Sequence, residues 1–167
     1  MLWWKVALRI GRFFVLGSAR RRDSASGNNA EERVLAMSIS RFFSVEHRGD
    51  VAILTPNVRQ TDLREINDFQ NELLDFVEHY KPAKLVVDLS VVMRTSSWFL
   101  GVLLRLERRV AAHQGVMRLC GMNTVVREVF HITALDRKKF QIVGTIDEAI
   151  SDMELAAQSR QQHPRTA

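Results

Sequence analysis

The stretch Lys84–Leu106, KLVVDLSVVMRTSSWFLGVLLRL, decides how the rest of the chain is read. Leu85, Val86 and Val87 form an apolar run, and the strand reads on through Asp88 to Leu89. It alternates too little for a half-exposed strand, so it predicts a central one. A short connection then leads to paired serines, Ser96 and Ser97, at the mouth of an apolar helix. Phe99, Leu103, Leu106 and Val110 recur there at helical spacing and mark its core stripe. A serine in this place can cap the helix, or it can present its hydroxyl to a partner, a kinase or a substrate.

Outward from this stretch, strands and helices alternate. Ile39 to His47 reads as a first strand, Arg48-Gly49-Asp50 as a turn and Val51 to Leu54 as the second strand of a hairpin. Pro56-Asn57 breaks the pattern. Thr61 or Asp62 can cap the next helix, with Leu63, Ile66, Phe69, Leu73, Phe76, Val77 and Tyr80 on its core face and Lys81-Pro82 at its end. The Ser96/Ser97 helix runs to about His113 with Gly115 as its stop, and Val116 to Cys120 is another strand. Asn123 or Thr124 caps a helix whose buried face is Val125, Val126, Val129 and Phe130. Phe140 to Val143 reads as a last strand, and Thr145 opens a terminal helix to about Ser159. The expected architecture is one α/β domain with parallel βαβ units: a mostly parallel sheet of four to five strands, an N-terminal hairpin and about four helices.

The expected boundaries are a basic leader over 1–36, a domain over 37–158 and a disordered tail over 159–167. The chain of 167 residues has a formal net charge of +5, but residues 1–36 hold +4 of it. The folded part is nearly neutral, which argues against a domain-wide phosphate-binding face and against nucleic acid as a partner. In the leader Lys5, Arg9 and Arg12 interrupt the apolar residues, leaving no run of membrane-spanning length. A signal peptide would need a cleaner apolar centre and a small-residue cleavage site. The leader reads either as a basic amphipathic segment on an anionic membrane or as upstream sequence, with Met37 as the start. The second is favoured, because SASGNN reads as disordered and everything domain-like follows Met37. Membrane contact is expected only through this leader.

Motifs of enzymes are missing. No Gly-rich phosphate loop, HExxH or paired cysteines occur, and the five histidines have no spacing suited to a shared metal. No cofactor, metal or small-molecule ligand is expected. The lone Cys120 sits in an apolar run, reads as a buried thiol and fits a reducing, cytoplasmic setting. A hydrolase nucleophile elbow needs small residues around its strained serine. Ser97 has Ser96, Trp98 and Phe99 instead, so a serine hydrolase is set aside.

Asp88-Leu89-Ser90, then Ser96-Ser97-Trp98-Phe99-Leu100-Gly101, Arg108 to Gly115, Leu119-Cys120-Gly121, Val125 to Leu135 and Ile146-Asp147-Glu148-Ala149 follow one another in a recognisable order. This order resembles the second half of a STAS domain, the bacterial anti-sigma factor antagonist family. The resemblance covers about residues 38–155 and runs without gaps through the serine region. It implies a non-enzymatic regulatory module that binds a kinase-type anti-sigma factor while unphosphorylated and releases it once a serine at the Ser97 position is phosphorylated. A phosphatase is a further implied partner. The sequence departs from the family pattern where Ser96 replaces an Asp, Trp98 a small hydroxyl residue and Phe99 a Gly.

The resemblance places a partner-binding surface on Arg94, Thr95, Ser96, Ser97 and Trp98. Asn57 and Asp62, and Met122, Asn123 and Thr124, are its expected neighbours at the same end of the sheet. Trp98 reads as an interface anchor or as a cover over apolar surface. Arg94 reads as a partner for phosphate or carboxylate, or as simply solvated. The alternative function is a degenerate, non-phosphorylated scaffold, or the STAS subunit of a larger stress-sensing or lipid-transport assembly.

Overall fold

The computed structural model describes residues 14–15, 38–57 and 63–162. Among the described residues six strands form one sheet in chain order: β1 (Phe14–Val15), β2 (Ser38–Ile39), β3 (Phe43–Arg48), β4 (Val51–Pro56), β5 (Lys84–Asp88) and β6 (Val116–Cys120). The first four pair antiparallel; β4, β5 and β6 pair parallel. Among the described residues the helices are α1 (Leu63–Tyr80), α2 (Ser97–Ala112), α3 (Thr124–Ile132), the short α4 (Leu135–Lys138) and α5 (Ile146–Gln162). The fold class is the expected α/β one.

Two apolar clusters explain the layering. Leu85 and Val87 of β5 point into the larger, with Phe69, Leu73, Phe76 and Val77 of α1, the Phe99–Leu103–Leu106–Val110 stripe of α2, and Val126 and Phe130 of α3. Val86 points the other way, into a smaller cluster with Val51, Ile53, Cys120, and Ala149 and Met153 of α5. A strand buried on both faces needs apolar side chains at successive positions, which is why Leu85-Val86-Val87 does not alternate. Burial first, then the charges of Asp88 and Glu148, push the Cys120 thiol up to about 12, so it stays protonated at neutral pH.

The hairpin turns at Gly49-Asp50, with Gly49 at φ +62° and Arg48 opposite Val51. Several expected details differ. The first strand is two pieces, because β2 folds back on β3 and pairs Ser38 with Val45. The Ser40 hydroxyl accepts from the Phe42 amide at 3.0 Å and holds that reversal. Phe140–Val143 is no full strand: it meets β6 through a single bridge between Leu119 and Ile142. Tyr80 is not on the core face; it is 51% exposed and stacks on Phe76 at the helix end. Val125 also leaves the buried face, being 60% exposed, because Val126 and Phe130 set the phase of α3.

The stop after α2 is at Gln114, which takes the left-handed conformation at φ 61°. Gly115 is needed for another reason: a Cβ there would come within 2.5 Å of the Pro82 carbonyl oxygen. The terminal helix continues past Ser159 to Gln162. At its start the Thr145 hydroxyl accepts from the Glu148 amide, and the Glu148 carboxylate accepts from the amide of Gly144, one residue before the cap. Of the leader only Phe14–Val15 is described, as the two-residue β1; the expectations for its other residues, the Thr61/Asp62 cap and residues 163–167 lie outside the described residues.

Candidate partner-binding site

In a parallel βαβ arrangement the loops after the strands gather at one end of the sheet, and binding sites form there. Here that end holds Asn57 after β4, residues 89–96 after β5 and residues 121–123 after β6. Asp88 closes β5 by accepting from the Ser90 amide at 3.0 Å and from the Ser90 hydroxyl at 2.9 Å. Gly121, at φ +72°, passes so close that a Cβ would stand 2.3 Å from the Asp88 carboxylate. The two connections are thereby pressed together.

Asn123 locks them. Its Oδ1 accepts from the Val126 amide at 2.9 Å and caps α3. Its Nδ2 donates to the carbonyls of Val92 and Met93 at 3.0 and 3.2 Å. One side chain therefore caps a helix and fastens the neighbouring loop. Replacing it with Ala removes a cap worth about 1 kcal/mol and leaves two carbonyls without their donor. Asn123→Ala is expected to cost about 2 kcal/mol in urea unfolding and to raise hydrogen exchange at the Val126 amide, with Thr124→Ala nearly silent.

The paired serines divide their tasks. Ser96 is extended (φ −123°, ψ 161°) and caps α2, its Oγ accepting from the Phe99 amide at 3.3 Å. Ser97 is the first residue of α2 and is exposed. Neither α2 nor α3 has an acidic residue in its first turn. Both helix N-termini thus keep their partial positive charge unopposed, and the adjacent Arg94 is exposed.

Phe99 is buried at 4% and lies 6.3 Å from the Phe69 ring. Trp98 is half-buried, its ring 5.8 Å from Phe69. It covers apolar surface with one side and leaves part of itself open. The Thr95 hydroxyl is buried and has no hydrogen-bond partner among the described residues.

The structure brings Arg94 to Trp98, Asn57, Asn123 and Thr124 to this end, whereas Asp62 lies outside the described residues. Met122 is at this end too, but it is 9% exposed and faces the core, so its side chain is not presented as expected. Apolar side chains missed by sequence reasoning take its place: Val91 is 49% and Met93 73% exposed, while Val92 between them is buried at 3%. The sequence reads this stretch only as a short connection, and the inward anchoring of Val92 turns its neighbours out. Among the described residues no group of three or more His, Cys, Asp and Glu could hold a metal ion, and no helix is long and apolar enough to cross a membrane.

A family profile described as "Mlab, STAS domain" matches residues 60–144. The chain belongs to the STAS family. A Thermotoga neapolitana relative assigned as an anti-sigma factor antagonist is 30% identical over 105 residues, 63% of this chain and 91% of its own. The crystal structure of a Thermotoga maritima protein with the same assignment is 28% identical, with a TM-score of 0.60 over 67% of this chain and 94% of its own. The Bacillus antagonist SpoIIAA in its unphosphorylated form shares the fold at 17% identity, with a TM-score of 0.55 over 67% of this STAS chain and 96% of its own.

Proposed function

We propose that this STAS protein is a non-enzymatic, cytoplasmic regulator that binds a kinase-type anti-sigma factor through the mouth formed by Arg94 to Trp98, Asn57, Asn123 and Thr124, and that phosphorylation of Ser97 releases the partner. The observation that carries this reading is the division between the serines. Ser96 supplies the cap, so the Ser97 hydroxyl stands exposed and without a structural task. The antagonist assignment of the Thermotoga relatives supports the class of partner.

The electrostatics fit a switch that leaves the fold alone. Phosphate adds nearly two negative charges, and the N-terminus of a helix tolerates an anion. No acidic residue in the first turn of α2 opposes it, since Ser96 stands in place of the family's Asp. Buried against a partner, the same unpaired anion costs several kcal/mol. About 3 kcal/mol is roughly a hundredfold in affinity. Incubation with the cognate kinase and ATP is expected to add the mass of one phosphate to the intact protein and none to Ser97→Ala. An unmodified wild-type mass would sink the switch.

A second reading, a non-phosphorylated scaffold or the subunit of a larger assembly, draws support from that same loss of the family's Asp and from Phe99 filling the core where the family has Gly. It expects Trp98→Ala to weaken association and Ser97→Ala and Ser97→Asp to do nothing.

A further inference from the structure

The β5–α2 connection is fixed at two points with a short gap between them. Val92 is buried at 3%, and its amide donates to the Leu89 carbonyl at 3.0 Å. Ser96 is held by its bond from the Phe99 amide, and its carbonyl accepts from the Leu100 amide at 3.0 Å. Met93, Arg94 and Thr95 lie between these anchors, outside any helix or strand. Among the described residues, one hydrogen bond alone reaches the backbone of this gap, from Asn123 Nδ2 to the Met93 carbonyl. Side chains add little. Met93 is 73% exposed, the Thr95 hydroxyl has no partner, and no ion pair among the described residues holds exposed Arg94.

Asn123 is committed inward. An asparagine amide offers two N–H donors and one acceptor oxygen. Its Nδ2 bonds the Val92 and Met93 carbonyls, and its Oδ1 accepts from the Val126 amide. No donor is left for a partner, although the residue stands at the mouth.

We infer that Asn123 is a positioning residue for the Ser97 site and acts through Arg94. It fixes the path of Met93–Thr95, and so the place of the Arg94 guanidinium relative to the Ser97 hydroxyl three residues on. This rests on the partner-binding reading above and adds what governs presentation of the site. A partner that reads Arg94 and Ser97 together meets them already set. Without the tether it must order the gap as it binds, and ordering on binding lowers affinity.

Asn123→Ser separates the two tasks of the side chain. Serine is a good N-cap but is too short to reach the loop carbonyls. Asn123→Asp keeps the acceptor oxygen and, ionised, cannot donate. Trypsin, which cuts after arginine, probes the loop of the full chain with no partner present. Both variants are expected to be cut after Arg94 about tenfold faster than wild type, with cutting after Arg127 in α3 unchanged. With the cognate kinase, Asn123→Ser is expected to raise KM for Ser97 phosphorylation about tenfold with kcat unchanged. In an Arg94→Ala background the same replacement is expected to change KM by less than about twofold.

Unchanged cutting after Arg94 overturns the tether. Faster cutting after both arginines also overturns it, because Asn123 then serves only the helix. An equal rise in KM with and without Arg94 makes Asn123 a contact in its own right, and an unchanged KM removes its link to Ser97. A wild-type chain that takes no phosphate fails the Ser97 switch instead. The trypsin rates and the same comparisons of affinity for the anti-sigma factor then decide the role of Asn123.

Discussion

Gly121→Ala is expected to destabilise the protein by about 3 kcal/mol or more, seen as a large fall in the urea midpoint with the slope unchanged. Two costs combine. The left-handed backbone at φ +72° disfavours an L side chain by about 1–2 kcal/mol. The new methyl would also stand 2.3 Å from the Asp88 carboxylate and 2.9 Å from the Ser90 amide. Asp88 would then swing away and give up its two bonds to Ser90, each worth about 1 kcal/mol or more. Asp88→Ala removes the nearest obstacle and the bonds but leaves the Ser90 amide in the way, so adding Gly121→Ala to it is expected to cost clearly less than in the wild type. Additive losses would show that the close approach is not what Gly121 serves.

Phe69→Ala is expected to cost about 3–5 kcal/mol, the range for truncating a buried aromatic ring. Phe69 is fully buried in α1 and meets three rings: Phe42 at 6.0 Å, Trp98 at 5.8 Å and Phe99 at 6.3 Å. It joins the turn between β2 and β3 to the first turn of α2. The cavity should therefore free Trp98, giving a red-shifted, more quenchable tryptophan emission while the far-ultraviolet dichroism stays native. Phe76→Ala, which meets Phe43 and Tyr80 instead, is expected to cost a similar amount without the emission change.

The features legible in the sequence are those that short-range chemistry determines. The Gly49 turn, the Leu85–Val87 strand, the Phe99–Val110 stripe and the helix starts at Asn123-Thr124 and at Thr145 each follow from spacing or from a side-chain oxygen at a helix start. Details that depend on a distant neighbour were not legible. Gly115 looks like a helix stop, and only the approach of Pro82 gives its real constraint. Val125-Val126 offers two equivalent apolar residues, and packing of Val126 and Phe130 on the sheet decides which is buried. Met122 looks available in a loop but turns inward, while Val91 and Met93, unassigned within a short connection, turn outward. The location of the mouth could thus be read from sequence, whereas the side chains it presents could not.

The pairing of serines has the same character. Either could cap α2 on residue type alone, and the bond from the Phe99 amide to Ser96 assigns the cap. What Ser97 does with its exposed hydroxyl is then a question of affinity. Calorimetric titration of the cognate anti-sigma factor with wild type, Ser97→Ala and Ser97→Asp tests it most directly. The account predicts that Ala binds like wild type and that Asp binds about a hundredfold more weakly. Binding of Ser97→Asp at the wild-type affinity would contradict it.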